Sequence, residues 1–173
     1  MSRFNALYLD TNVIIARYKP ADPLHRVSDK LLSSGKFEFF ISPITLFELY
    51  SVISRLYPNM IFPQEVESIS VDTLVHFIVE DCNLKLVSKN YLVTAYFRKQ
   101  KIRMPFEYLM SMMLAERLKL RALDLLHIAY VAMLRDSIQT FVTGDSEILE
   151  RKSIIKDIVG VEVEHPKNFL NDL

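Results

Sequence analysis

Three glycines, one cysteine and no excess of either charge define this chain by what it does without. So little glycine, in 173 residues of which half are hydrophobic, excludes a disordered or low-complexity polypeptide. It argues instead for a compact, helix-rich globule, one domain long enough for a sizeable core. Cys82, alone, forms no internal disulfide and no thiolate-cluster zinc site, and reads as a small buried hydrophobe. Lysine plus arginine equals aspartate plus glutamate at 21 each, so any polyanionic partner needs a local basic patch. No apolar run is long and uncharged enough to span a membrane, and Asp10 interrupts the first one before it resembles a leader. A reduced, cytoplasmic setting is the expectation. No glycine-rich phosphate loop occurs, which excludes P-loop nucleotide hydrolysis, and no Gly-x-Ser-x-Gly elbow offers a serine nucleophile. His25, His76 and His165 are scattered without metal-ligand spacing.

What is present is an alternation of short apolar runs with helical periods. Strands are expected at Phe4 to Leu9, Phe37 to Ile41, Thr140 to Thr143 and Val159 to Val163, the last at a sheet edge, with a short one at Leu84 to Val87. Helices are expected over Thr11 to Tyr18, Leu24 to Ser34, Ala122 to Arg135 and Ser146 to Lys156. Ser42-Pro43 supplies an N-cap and a proline at the first helical position, so another helix runs from there to about Leu56. Between residues 63 and 120 the chain reads as mostly helical, with Pro105 starting a new helix. Ala122 to Arg135 is apolar nearly all round and therefore central. Strands alternating with helices imply an α/β fold with a central parallel sheet covered on both faces.

Four acids stand out by position. Asp10 and Asp145 each follow an expected strand, so a parallel sheet would set both at its C-terminal edge, where open α/β sheets build ligand sites. Glu48 lies in the second turn of the helix begun at Ser42-Pro43, and Asp124 sits among apolar neighbours in Ala122 to Ala129. An acid on an apolar helix is costly unless it is paired or binds a cation, and no lysine or arginine recurs at one spacing beside all four. A shared hard divalent ion, Mg²⁺ or Mn²⁺, is the simplest neutraliser.

Taken in order, Leu9-Asp10-Thr11-Asn12, then Glu48, then Asp124-Leu125-Leu126-His127-Ile128-Ala129, then Val142-Thr143-Gly144-Asp145 resemble the PIN domain, whose best-known members are VapC-type ribonuclease toxins. The resemblance spans the chain in element order and is residue-level in those four segments. It implies an α/β/α sandwich with an acidic, metal-dependent site that hydrolyses RNA. Asp10, Glu48, Asp124 and Asp145 would be its catalytic, metal-binding acids, with Thr11, Asn12 and Thr143 orienting ligands or waters. Residues 63–120 exceed what a compact toxin needs, so a toxin with a protein antitoxin partner competes with an RNA-processing or RNA-decay nuclease. A non-catalytic RNA-binding or assembly module is the alternative from a different class.

Plainer roles stand beside these. Asp10 and Asp145 could be helix N-caps, and Glu147 either a further ligand or a first-turn acid favoured by the helix dipole. His127, one turn after Asp124, reads as a packed, hydrogen-bonded histidine. The basic run Arg98, Lys99, Lys101, Arg103, with Tyr91, Tyr96 and Phe97 nearby, suits RNA phosphates and a stacked base, or equally a solvated helix end. Methionine- and aromatic-rich residues 91–114 belong to the core or to the surface of a symmetric homodimer.

Overall fold

The computed structural model of the chain describes residues 6–63, 70–138 and 140–172. In chain order its elements are β1 (Ala6–Leu9), α1 (Thr11–Ala16), α2 (His25–Leu32), β2 (Glu38–Ile41), α3 (Pro43–Leu56), α4 (Val71–Asp81), β3 (Leu84–Leu86), β4 (Leu92–Phe97), β5 (Gln100–Pro105), α5 (Phe106–Leu118), α6 (Ala122–Leu134), β6 (Thr140–Val142), α7 (Ser146–Leu149), α8 (Lys152–Val159) and β7 (Glu162–Glu164). Five strands form one parallel sheet in the order β3-β2-β1-β6-β7. The chain steps outward from β1 to β3, then returns to the other side of β1 with β6 and β7. That reversal opens a switch point between the C-terminal ends of β1 and β6, the ends that lead into Asp10 and Asp145.

Alternation along β1 divides the core. Leu7 and Leu9 join Val13, Ile14, Leu49, Ile53 and Ile78 on one face, under α1, α3 and α4. Tyr8 faces the other way and joins Ile128, Val131, Phe141 and Ile155, under α5, α6 and α8. The result is an α/β/α sandwich with the parallel sheet in the middle. α3 begins where Ser42 and Thr45 cap each other reciprocally, with Pro43 pre-set in the first turn. α6 is buried on nearly every side, which explains its unbroken apolar composition. No helix among the described residues is long and apolar enough to cross a membrane.

Residues 63–120 depart from the helical expectation. Residues 64–69 lie outside the described residues, as do residues 4 and 5 of the expected first strand. Helices α4 and α5 form, and so does the short β3. Residues 92–105, however, are an antiparallel hairpin, β4 with β5, paired from Leu92↔Pro105 to Phe97↔Gln100. Its turn is Arg98-Lys99, with Arg98 at φ +55°, so the glycine or asparagine that usually announces such a turn is missing. Its exposed residues include Leu92, Tyr96 and Phe97, so apolar side chains fall on the water side as well as the packed side and blur the polar–apolar alternation by which a strand is read. The basic run is therefore a hairpin tip and strand, not a helix end. The helix expected at 146–156 is likewise two, α7 and α8. Arg151 breaks the run at φ −102°, ψ 8°, while its guanidinium binds the Leu118 carbonyl (2.6 Å) and the Glu147 carbonyl (2.9 Å).

Candidate active site

Asp10 is held where β1 gives way to α1. Its backbone N–H donates to the Val142 carbonyl at 2.9 Å, which fixes it beside the end of β6. Its Oδ2 accepts from the Thr143 hydroxyl (2.5 Å) and from Asn12 Nδ2 (2.8 Å). Asn12 Oδ1 in turn accepts from the Gly144 N–H (3.0 Å), and Thr143 Oγ1 accepts from the Asp145 N–H (3.0 Å). The Asp-Thr-Asn and Thr-Gly-Asp turns are thus stitched into one rim, using Thr143 and Asn12 as the thread. Gly144 leaves room for the Leu24 side chain: a Cβ there would stand 2.2 Å from Leu24 Cδ1. Asp145 caps α7, its Oδ1 accepting from the backbone of Glu147 (2.7 Å) and Ile148 (3.3 Å).

Glu48 approaches from α3. Its Oε2 accepts from the Thr11 hydroxyl (2.5 Å) and from His127 Nε2 (2.8 Å), while Oε1 accepts no hydrogen bond among the described residues. His127 is 1% exposed, and its Nδ1 lies 3.0 Å from the Tyr8 hydroxyl. Tyr8 is wholly buried and also contacts Ser42 Oγ (2.6 Å) and Thr45 Oγ1 (3.2 Å), the two residues that cap α3. A polar relay therefore runs from the start of α3 through Tyr8 and His127 back to Glu48 on α3. Asp10, Glu48 and His127 bring one ligand atom each within 4.8 Å of one another.

Asp124, in the first turn of α6, completes the wall. Its Oδ2 is buried with no hydrogen-bond partner among the described residues. Burial, then the charges of Asp10 and Asp145, push its carboxyl up to about 6 from 3.8. Burial also raises Asp10, with the Glu48 charge adding to it and His127 and Thr143 pulling against it. For Glu48 burial alone would raise the pKa, but the His127 hydrogen bond and charge, with Thr11, hold it below its ordinary value. His127 moves up: burial works against the charged ring, yet the Glu48 hydrogen bond and the charges of Asp10, Glu48 and Asp124 outweigh it. Glu48 thus has His127 as its partner, protonated or not, whereas Asp10, Asp124 and Asp145 form no salt bridge with a lysine or arginine among the described residues.

The acids Asp10, Glu48, Asp124 and Asp145 line one cleft of about 320 Å³, with Thr11 and Asn12 in its wall and a Lys19–Asp22 pair at its edge. The residues fit a divalent ion: they are hard oxygen donors, and one buried carboxylate oxygen is unpartnered. Arg98, Lys99, Lys101 and Arg103 do not line the cleft but sit on the hairpin. Glu147 turns away to pair with Arg121 at 3.1 Å. His127 is packed and hydrogen-bonded, and in addition it touches Glu48. The sequence singles out Ser42 only as a helix cap, and Tyr8 and Thr45 not at all. The one available signal was a phenol in the middle of an apolar strand, on the face opposite Leu7 and Leu9.

The family model for the PIN domain matches residues 7–154. Among solved structures, the chain is similar to a chain in the crystal structure of VapBC2 from Rickettsia felis bound to a DNA fragment from their promoter. The two are 16% identical, with a TM-score of 0.52, over 92% of this chain and 98% of the other, a likeness of fold. No curated protein matches the sequence.

Proposed function

The chain belongs to the PIN domain family, and on that premise we propose that it is a single-domain, metal-dependent endoribonuclease that hydrolyses RNA phosphodiester bonds. The observation that carries the reading is the unpartnered Asp124 Oδ2 in a cleft shared with three other acids at the sheet's switch point. Such a cluster is costly for a scaffold and useful for holding a cation. Asp10, Glu48, Asp124 and Asp145 would hold Mg²⁺ or Mn²⁺. Thr143 and Asn12 Nδ2 hold Oδ2 of Asp10, the Asn12 backbone N–H reaches its Oδ1 at 3.4 Å, and Thr11 and His127 hold Oε2 of Glu48, so both carboxylates are oriented and Glu48 keeps Oε1 for the ion. A bound divalent ion supplies a water of lowered pKa and offsets charge on the phosphate. The positioning of the acids is the work of this chain's hydroxyls, amide and imidazole.

Two partners follow from the same reading. The resemblance to VapC-type toxins and the likeness to a VapBC2 chain support a protein antitoxin, for which a short reading frame directly upstream of the gene is the cheap test. Exposed Tyr91, Met112 and Met113 support a homodimer, which light scattering at micromolar concentration measures. For the activity itself, a mixed RNA pool incubated with Mg²⁺ or Mn²⁺ should be cut. It should survive in chelator, and survive with Asp10→Asn. Equal cutting by wild type and Asp10→Asn would overturn the assignment.

A further inference from the structure

The cations of this neutral chain are unevenly placed. Between Leu84 and Phe106 there are six lysines and arginines and no acid, which leaves fifteen against twenty-one in the remainder. Two of the six are engaged: Lys85 pairs with Glu38 at 2.7 Å, and Lys89 Nζ donates to the Met133 carbonyl at 2.6 Å. The other four, Arg98, Lys99, Lys101 and Arg103, belong to the β4–β5 hairpin and form no ion pair among the described residues.

The hairpin is two-sided. Register sets Tyr96 opposite Lys101 and Thr94 opposite Arg103, so these four share a face, and all are exposed. Val93, Ala95, Ile102 and Met104 alternate with them and are half-buried, and both strands lie against α5. The arm is thus anchored by one apolar face and turns a basic face outward. Solvation accounts for the charges but not for Tyr96, 72% exposed at their centre, nor for Phe97 at the tip, 66% exposed.

We propose that this outward face binds single-stranded RNA, with Tyr96 stacking on an unpaired base and Arg98, Lys99, Lys101 and Arg103 engaging phosphates. Lys101 and Arg103 are two residues apart on one face, about 6.8 Å along an extended strand, which suits successive phosphates. A duplex keeps its bases stacked and gives Tyr96 nothing to hold. An acidic peptide would satisfy the cations and leave the ring unused. The proposal rests on reading the chain as an RNA nuclease, and it supplies what a negatively charged cleft lacks, a surface that retains a polyanion.

The test is binding without cleavage. The full chain carrying Asp10→Asn, in chelator, is titrated against a fluorescein-labelled oligouridine by anisotropy at several salt concentrations. Substituting glutamine at Arg98, Lys99, Lys101 and Arg103 together should flatten the slope of log affinity against log salt by about 2.8, at ~0.7 per phosphate contact on a single strand. Tyr96→Ala should weaken binding by roughly five-fold or more, and Tyr96→Phe should restore it. Unchanged affinity and slope in these variants overturn the proposal, as does an unbound parent, or equally tight binding of an RNA duplex or of polyglutamate. Failure here and failure of the nuclease reading are separable. Hairpin-dependent binding by a chain that cuts no RNA keeps this inference and removes the other. RNA cutting and binding untouched by the hairpin variants does the reverse.

Discussion

Asp124→Asn is the sharpest probe of the acidic cleft, because it should stabilise the metal-free protein only where the wild-type carboxyl is charged. In the folded chain burial and the neighbouring charges of Asp10 and Asp145 raise this carboxyl to about 6, against 3.8 ordinarily. Below pH 3.8 the group is neutral in both the folded and the unfolded chain and costs nothing. As pH rises through the folded value, the fold must accept a charge that the unfolded chain carries freely, and the stability present at low pH is lost. At 1.36 kcal/mol per pH unit the gap amounts to about 3 kcal/mol, and screening of a partly exposed side chain reduces this to about 1–1.5 kcal/mol. Asparagine keeps the shape without the charge. In chelator at pH 7.5, Asp124→Asn should therefore melt about 2–6 °C above wild type, with the difference fading towards pH 4. Saturating Mn²⁺ should then reverse the ranking: an ion at 100 times its Kd adds about 2.7 kcal/mol to a protein that binds it. Thermal scans across pH, with and without Mn²⁺, decide the matter. A difference that ignores pH, or a less stable Asn variant at pH 7.5 in chelator, would refute the reasoning.

Tyr8→Phe leaves Nδ1 of His127 unpaired in the core and should cost about 1–3 kcal/mol in urea unfolding; an unchanged midpoint would dismiss the Tyr8–His127–Glu48 relay as incidental. Asp145→Asn retains the cap of α7 and should lose RNA cleavage without loss of stability, whereas Asp145→Ala should lose both, the second by about 0.5–2 kcal/mol. Matched denaturation and cleavage assays separate the two roles. His127, with its pKa raised, stabilises the fold at low pH and gives that up as pH climbs through its folded value, while Glu48, lowered, does the opposite on the acid side. An NMR titration should find the imidazole above 6.5, and a value below that would contradict the ion pair.

The parts of this molecule that could be read from sequence are those whose cause is local. The run before Asp10 is apolar and short, Ser42-Pro43 writes its own helix start, and an acid inside Ala122–Ala129 announces itself by its company. β4 and β5 defeated that kind of reading. Arg98 adopts the left-handed turn conformation without glycine or asparagine, and Leu92, Tyr96 and Phe97 put apolar side chains in water, so neither punctuation nor alternation marks it. The relay was invisible for another reason: Tyr8 and His127 are 119 residues apart, and His127 and Glu48 are 79 apart. No window along the chain contains such a pair. The packing of α6 against α3 and over β1 brings them within reach, and that packing is a property of the whole fold.

The stitching of Asp10 to Thr143 spans 133 residues, and it means the site is one of the last things the polypeptide can make. A chain emerging from the ribosome presents Asp10, then Glu48, then Asp124, but until β6 has joined β1 they have no common rim and Asp10 lacks its two-sided grip. Contacts of such long sequence separation form slowly and late. A chain that stops short of Thr143 lacks the hydroxyl and the Gly144 N–H that fix Asp10 and Asn12, and it lacks Asp145. For a protein read as a destroyer of RNA, synthesised on a machine built of RNA, the order of the strands acts as a safety catch that no single residue encodes.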